Sequence, residues 1–239
     1  MRKTAPLKNK RTALVTGAGR KAGIGAAIAT RLEDDGWTVV TTHWSDYDRR
    51  MPWGADETVQ GIEADLADPE TPARLFDQID GDVQALVLAH CESVDSSLLD
   101  TTVDSFDRHF AVNARASWLL IREFAKRYRG PHGAGRIVTL TSDHVVHNLP
   151  YGASKGALDR ITLAAAGELG HLGITANAVN PGATETGWIT DPLRETLKQH
   201  TPLGRVGTPR DCAGLVAFLC GPEGGWVNGQ VLVANGGAA

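Results

Sequence analysis

The stretch Thr12-Ala-Leu-Val-Thr-Gly-Ala-Gly-Arg-Lys-Ala-Gly-Ile-Gly25 decides the fold. Its first five residues form a short apolar run that is typical of a strand, and apolar residues at helical spacing continue over 25–32. Between them lies a glycine-rich turn, which lets the backbone approach a pyrophosphate that the helix N-terminus attracts. The stretch therefore predicts a dinucleotide-binding strand–turn–helix unit. A glycine turn that binds no ligand is the alternative.

The same alternation of strand and helix continues along the chain. The later predicted strands are 37–42, 58–64, 85–89, 136–140, 175–179 and 230–233, and the later predicted helices are 69–79, 103–129, 151–171 and 209–219. Strands that alternate with helices of this length indicate a parallel sheet covered on both faces. We predict a doubly wound α/β/α (Rossmann) sheet of about seven strands. It forms one domain over 11–239, after a loose tail at 1–10.

Composition restricts the class of function. The net charge of −4 over 239 residues argues against nucleic acid as a partner. No run approaches the roughly 20 apolar residues of a membrane span, so no membrane partner is expected. The three cysteines form no CxxC pair and the eight histidines lack companion ligands at zinc-like spacing. We therefore predict a cytoplasmic protein with reduced thiols and no metal site.

Tyr151-Gly-Ala-Ser-Lys155 places a phenol and an ammonium one helical turn apart, on one face of a helix. Tyrosine has a reference pKa of about 10, and a nearby cation favours the phenolate and lowers that pKa. A lowered pKa makes the hydroxyl usable for proton transfer. An exposed Tyr/Lys pair on an amphipathic helix is the alternative interpretation.

The order of several motifs resembles the short-chain dehydrogenase/reductase family over about residues 11–237, with the character of bacterial 3-oxoacyl-acyl-carrier-protein reductases. The motifs are the glycine loop, Asp65, Asn113, Ser142, Tyr151, Lys155, the segment Asn180-Pro-Gly-Ala-Thr-Glu-Thr186, and the C-terminal segments 202–211 and 227–237. The family resemblance implies NAD(P)H-dependent reduction of a ketone, such as a 3-oxoacyl thioester, to a secondary alcohol. It also implies a small carbonyl or alcohol substrate and a homotetramer or dimer.

The resemblance also assigns roles to four residues. Tyr151 would donate a proton to the carbonyl oxygen, and Ser142 would hydrogen-bond that oxygen. Lys155 would bind the nicotinamide ribose and lower the tyrosine pKa. Asn113 would hold a water that completes a proton path through Lys155.

The predicted cofactor contacts follow the strand ends. They are Gly17, Gly19, Arg20, Lys21, Gly23, Ile24, Gly25, His43, Asp65, Leu66, Tyr151, Lys155, Pro181, Gly182, Thr184 and Thr186. The end of the second strand, Thr42-His43-Trp44, lacks the acid that an NAD enzyme uses for the ribose 2′-hydroxyl. With two cations in the glycine loop, this favours NADP(H) over NAD(H), although Asp46 and Asp48 nearby weigh against it.

Three departures from the family keep alternatives open. Five residues separate Gly17 from Gly23, a spacing reminiscent of enoyl-thioester reductases, whereas the Tyr–Lys spacing favours ketone reduction. Leu88-Ala-His-Cys91 replaces the family's Asn-Asn-Ala-Gly, which leaves a non-catalytic, cofactor-binding regulatory or scaffold protein as an alternative. Ser142 lies only nine residues before Tyr151, so Thr141 is the fallback donor. Trp188 follows the last cofactor-binding threonine and either lines the pocket or serves packing.

Overall fold

The computed structural model describes residues 11–55 and 60–238. The predicted tail at 1–10 and positions 58 and 59 of the predicted third strand lie outside the described residues. The strands are β1 Thr12–Thr16, β2 Thr38–His43, β3 Ile62–Glu63, β4 Val83–Leu88, β5 Gly135–Leu140, β6 Ile174–Asn180 and β7 Val231–Val233. The helices are α1 Ile24–Asp34, α2 Ser45–Arg50, α3 Thr71–Asp77, α4 Val103–His109, α5 Ala116–Arg127, α6 Leu149–Glu168, α7 Asp191–His200 and α8 Pro209–Cys220.

All seven strands form one parallel sheet in the order β3-β2-β1-β4-β5-β6-β7. The predicted sheet of about seven strands is confirmed. The strand order reverses between β1 and β4, and an open α/β sheet binds its ligands at the carboxyl ends of the strands beside such a reversal. This position is where the glycine loop leaves β1.

Each face of the sheet carries its own apolar layer. On one face, Leu14 and Ile137 belong to a buried cluster with Leu120 and Phe124 of α5. On the other face, Val15 and Val138 belong to a cluster that includes side chains of α1 and α8. Burial on both faces explains why β1 and β5 read as nearly continuous apolar runs rather than as alternating strands.

The predicted long helix at 103–129 is interrupted by a turn of π-helix, Phe110–Arg115, between α4 and α5. Single π turns inside α-helices are frequent at functional sites. This turn carries Asn113, one of the predicted site residues.

Two helices were missing from the sequence prediction. α2 is only six residues long, and α7 is polar with no buried residue. α2 has no apolar periodicity, and α7 has only Leu193 and Leu197 at helical spacing among polar residues, so neither gave the apolar pattern on which the prediction relied. Within the described part of the chain, no helix combines the length and apolar character that a membrane span requires.

Candidate active site

The predicted site residues lie mainly on loops at the carboxyl ends of β1, β3, β5 and β6. Helix α6 begins beside these loops and presents Tyr151 and Lys155 from its first two turns. The parallel sheet therefore brings together segments that are up to about 170 residues apart in sequence.

Lys155 is buried, with 2% of its surface exposed. Its Nζ donates to the carbonyl oxygen of Leu140 at 2.7 Å, and it lies 5.6 Å from the centre of the Tyr151 ring. Burial lowers the pKa of this ammonium, and the nearby groups Cys91 and Asp159 oppose that shift. The last carbonyl of β5 thus satisfies one of the three donors of a buried cation.

Tyr151 lies near Ser142, just after the end of β5, close enough for the serine side chain to lower the pKa of the phenol. Ser142 Oγ also accepts from the backbone N–H of His144 at 3.1 Å. The structure therefore brings Ser142 to the phenol in spite of the short loop between them. The short spacing between Ser142 and Tyr151 had made Ser142 the least certain of the predicted catalytic residues.

Burial raises the pKa of Tyr151, the nearby Cys91 and Asp143 add to the increase, and the nearby Ser142 side chain opposes it. The prediction of a lowered tyrosine pKa is wrong for this structure, because burial is the largest influence on the phenol and Lys155 is not among the groups that lower its pKa. Because its pKa is raised, the phenol keeps its proton throughout the neutral pH range. This is the protonation state that a proton donor needs.

Asn113 is fully buried on the π turn. Its Oδ1 accepts from the N–H of Glu92 at 2.8 Å, and its Nδ2 donates to the Glu92 carbonyl at 2.9 Å and to Ser154 Oγ at 2.8 Å. Ser154 Oγ donates in turn to the carbonyl of Tyr151 at 2.8 Å. Both amide hydrogens thus bind protein acceptors, and the side chain ties the loop after β4 to α6. The water-holding role stays a prediction.

The glycine loop is a tight cradle. Gly17 has φ +74°, and a Cβ there would lie 2.5 Å from the backbone of His90. A Cβ on Gly25 would collide with the carbonyl of Gly17. Gly23 caps the N-terminus of α1, which Ile24 begins. These positions require glycine because the backbone itself fills the space that a side chain would need.

The segment Leu88-Ala-His-Cys91, which replaces the family's Asn-Asn-Ala-Gly, is held in place by His90. Its Nε2 lies 3.1 Å from the Val112 carbonyl, which can only accept, so Nδ1 accepts from Thr16 Oγ1 at 2.7 Å. Burial lowers the pKa of His90 to about 3, so the ring is neutral. It is a fixed link between β1 and the π turn, and the loop still passes close to Gly17.

Arg20 is engaged by protein groups. It donates to the carbonyl of Thr186 at 2.7 Å, lies 3.8 Å from Asp48, and stacks on Trp53 at 4.0 Å from the ring centre. It therefore connects the glycine loop to the segment after β6. Gly19 lies beside the same Asp48 carboxylate, and Lys21 is exposed.

His43 ends β2 in a largely buried position, with its Nε2 3.3 Å from Glu63. Its Nδ1 is buried and has no hydrogen-bond partner among the described residues. A buried polar atom of this kind usually has a partner. This unpaired ring nitrogen belongs to a side chain that lies beside Gly19, at the end of β2.

Asp65 is engaged by protein groups. Its carboxylate accepts from Arg108 at 3.0 and 3.3 Å and from the N–H of Ala67 at 2.9 Å. The predicted acceptor for an adenine amino group is therefore also an ion-pair partner and a turn cap. Leu66, its neighbour, is buried in the core with 5% exposure.

The segment after β6 forms a compact turn. Gly182 has φ +61°, and its N–H donates to Asn180 Oδ1 at 3.0 Å. Thr184 Oγ1 donates to the carbonyls of Gly182 and Pro181, and Thr184 and Thr186 are buried. The turn keeps these residues near the glycine loop, where Arg20 binds the Thr186 carbonyl.

Sequence reasoning missed the groups that α2 brings to the site. Tyr47 lies close to Cys91, and burial raises the pKa of both groups. The carboxylate of Glu92 is buried and pairs with Arg50 at 3.1 Å and with Arg108 at 3.3 Å. Ser45-Asp46 before Tyr47 is a possible helix-start signal, but no apolar periodicity follows it.

The residues present fit a dinucleotide. The glycine cradle at the N-terminus of α1 suits a pyrophosphate, and the unpaired Nδ1 of His43 lies where the adenosine half would be held. A glycine cradle, a tyrosine paired with a serine, and a buried lysine at one end of a doubly wound sheet define a nicotinamide-dependent oxidoreductase.

Comparisons with known proteins agree with this class. A family model described as enoyl-(acyl carrier protein) reductase matches residues 17–239. A short-chain type dehydrogenase/reductase from Picea abies is 36% identical over 253 residues, which cover 95% of this chain and 92% of that protein. The chain belongs to the short-chain dehydrogenase/reductase family, and the predicted family and NAD(P)-dependent oxidoreductase class are confirmed.

Two similar solved structures contain the phosphorylated cofactor. A blue fluorescent protein from a metagenomic library, in complex with NADPH, is 32% identical with a TM-score of 0.82, and the match covers 96% of this chain and 98% of that one. The angucycline C-6 ketoreductase LanV with bound NADP is 30% identical with a TM-score of 0.80, and the match covers 95% of each chain. Both agree with the predicted preference for NADP(H).

Proposed function

We propose that this protein reduces a ketone to a secondary alcohol with NADPH, reversibly. The observation that carries the proposal is the meeting of Tyr151 and Ser142 beside the buried Lys155, at the carboxyl end of β5. The similar ketoreductase and the two cofactor complexes support it. The 3-oxoacyl thioesters are one group within this substrate class.

NADPH, when bound, supplies the hydride. Tyr151 donates its proton to the carbonyl oxygen, and its raised pKa keeps that proton in place until reduction occurs. Ser142 donates a hydrogen bond to the same oxygen, where negative charge develops. Asn113 fixes α6 relative to the loop after β4 through Ser154, so that the phenol is held in position.

The cofactor would be held by segments from both sides of the strand reversal. The loop from Gly17 to Gly25 would hold the phosphates through its backbone N–H groups. His43, Arg20 and Lys21 would lie nearest the 2′-phosphate, Asp65 and Leu66 nearest the adenine. Lys155 and the segment from Pro181 to Thr186 would hold the nicotinamide end.

The proposal is tested by following NADPH oxidation with a panel of ketones and enoyl thioesters, with identification of each product. We expect ketones to yield secondary alcohols and the carbon–carbon double bonds to remain intact. Binding of NADPH with no turnover of any panel member would instead favour a regulatory or scaffold protein.

An enoyl-thioester reductase is the second candidate. It is favoured by the five-residue spacing in the glycine loop and by the description of the matching family model. The two candidates differ in the bond that is reduced, so product analysis distinguishes them. The proximity of Ser142 to Tyr151 favours the ketone, because two neighbouring hydroxyl groups would serve as donors to one carbonyl oxygen.

Removal of the loop cations tests the preference for NADPH. We expect the Arg20→Ala/Lys21→Ala variant to bind NADPH about 1–3 kcal/mol more weakly while NADH binding changes little, since charge-assisted hydrogen bonds to the 2′-phosphate would be lost. Dissociation constants for both cofactors measure this. Arg20 already binds Thr186, so Lys21→Ala alone is the control for loop disruption. Equal losses for both cofactors would mean that the loop serves only the pyrophosphate.

We also propose that the chain assembles into a homotetramer or dimer in the cytoplasm. Phe106 and Phe110 stack on the α4 side, Trp118 of α5 is 48% exposed, and Trp226 before β7 is 97% exposed. Large apolar side chains at the surface suit burial between subunits. Cys212 and Cys220 are buried free thiols, as expected in a reducing compartment.

Assembly is tested by light scattering at micromolar concentration. We expect a dimer or tetramer mass for the native protein. A lower mass is expected for Trp118→Glu, because the charge would be buried without a partner. The control is Glu33→Ala, a change of an exposed residue on α1. A native protein that is monomeric in this experiment contradicts the proposal.

A further inference from the structure

Three loops surround the mouth of the proposed site. They cover residues 89–102 after β4, 141–148 after β5 and 181–190 after β6. The first two are joined, since Ser96 forms a β-bridge with Asn148 and Asn148 Nδ2 donates to Ser93 Oγ at 3.3 Å. The third is held to the glycine loop by the bond from Arg20 to the Thr186 carbonyl. All three loops therefore leave the carboxyl ends of neighbouring strands, the edge of the sheet at which Ser142 and Tyr151 lie.

The charge of these loops is of one sign. None of them contains a lysine or an arginine, and the acidic residues in them are Glu92, Asp95, Asp100, Asp143 and Glu185. Glu92 and Glu185 are paired with arginines. Asp95, Asp100 and Asp143 are exposed and form no ion pair within the described chain.

Asp143 matters most among them because it follows Ser142 directly. Its carboxylate contributes to the raised pKa of Tyr151, which places its charge within electrostatic reach of the phenol. An anionic group near the mouth would meet this carboxylate without a neighbouring cation to offset it.

Three basic residues close to these loops are already engaged within the protein. Arg20 lies beside Asp48 and donates to Thr186. Arg194, at the start of α7, binds both Glu185 and Asp191. Lys155 is buried behind the tyrosine. Lys21 of the glycine loop is exposed, and it is proposed above to serve the 2′-phosphate of the cofactor. The three loops themselves therefore offer no cation to an anionic substrate carrier.

The same loops expose apolar side chains. Val94, Val145, Val146 and Trp188 are 42%, 54%, 67% and 46% exposed. Val145 lies against the first turn of α6, since a Cβ on Gly152 would be 2.8 Å from its Cγ1, one residue from Tyr151. Covering such surface with an apolar ligand removes it from water and stabilises the complex.

We propose that the site selects an uncharged carbonyl compound with a bulky apolar body, and discriminates against thioesters of phosphorylated carriers such as coenzyme A. The inference rests on the proposed ketone reduction and narrows its substrate class. The apolar loop residues would cover the body of the substrate, and the unpaired carboxylates would repel an anionic carrier.

A matched pair of substrates tests this with the full-length protein and NADPH. Acetoacetyl-N-acetylcysteamine and acetoacetyl-coenzyme A carry the same 3-oxoacyl group on an uncharged and on an anionic thiol. We expect kcat/KM to be at least 10-fold higher for the uncharged ester, with a gap that narrows as salt screens the repulsion. Uncharged ketones with larger apolar or aromatic groups should give higher kcat/KM than acetone.

Two variants test which loop residues cause the discrimination between substrates. Asp143→Lys should raise kcat/KM for the coenzyme A ester several-fold while the uncharged ester changes little, and Val146→Asp should lower kcat/KM for the bulky ketones. The control is Asp80→Lys, a change of an exposed residue before β4, far in sequence from the three loops.

Each outcome decides between the claims. Equal or better use of the coenzyme A ester by the native protein would overturn the inference and leave ketone reduction standing. A gap that Asp143→Lys does not narrow would overturn the electrostatic explanation. Failure to reduce any carbonyl compound in the set would overturn the proposed function itself, and the inference with it.

Discussion

Tyr151→Phe is expected to lower kcat for ketone reduction at least 10²-fold, while the dissociation constant for NADPH stays nearly unchanged. General acid catalysis contributes about 10²–10⁴ in rate. The substitution removes only the hydroxyl and retains the ring that packs near Lys155. Steady-state kinetics and a cofactor titration on the same preparation measure both quantities.

The matched control is Tyr128→Phe. Tyr128 also donates a hydrogen bond through its hydroxyl, to the Pro131 carbonyl at 2.7 Å, but it follows α5 and is remote in the fold from the strand ends that carry the site. Its kcat should stay within a few-fold of the native value. Ser142→Ala should resemble the Tyr151 variant, since it removes the second donor to the same oxygen.

Lys155→Ala is expected to lower kcat and to weaken NADPH binding as well. The ammonium is buried and donates to the Leu140 carbonyl, which leaves two further N–H donors for other partners. Hydrogen bonds of a charged group are worth about 1.5–3 kcal/mol, which corresponds to roughly 10- to 10²-fold in the dissociation constant. A cofactor titration together with kcat distinguishes this variant from Tyr151→Phe.

Lys155→Met serves as the control for packing. It keeps an unbranched apolar side chain in the buried position and removes the charge, so it should share both losses if the ammonium is responsible. Native-like cofactor binding by both variants would show that Lys155 does not contact the cofactor. Loss by the alanine variant alone would assign the effect to the cavity that it leaves.

The fold could be predicted because its signals are local. The apolar run at β1, the glycine turn and the start of α1 follow one another directly, and parallel strands that alternate with helices fix the rest. β1 was predicted with its observed limits, Thr12–Thr16. α2 was not predicted, because the formation of a six-residue polar helix depends on its contacts with the rest of the fold rather than on its own sequence pattern.

The pKa values and ion-pair partners of the site residues could not be predicted from the spacing of residues along the sequence. The YGASK spacing suggested that the lysine lowers the tyrosine pKa, but a carbonyl at the end of β5 receives the ammonium, and burial determines the pKa of Tyr151. The partners of Asn113 and of Glu92 likewise come from distant segments. Such long-range contacts are set by the topology and leave no local signal.

The proton-donor role of Tyr151 is tested most directly by the pH dependence of hydride transfer in single turnovers, in both directions. Burial raises the pKa of the phenol, so the donor form is already complete at neutral pH. Reduction by the native protein should be independent of pH around neutrality, whereas alcohol oxidation, which needs the phenolate, should speed up as pH rises. Tyr151→Phe should be at least 10²-fold slower at every pH and lose the rise in oxidation. If Tyr151→Phe transfers hydride at near-native rates and its rate of alcohol oxidation still increases with pH, the mechanism is contradicted.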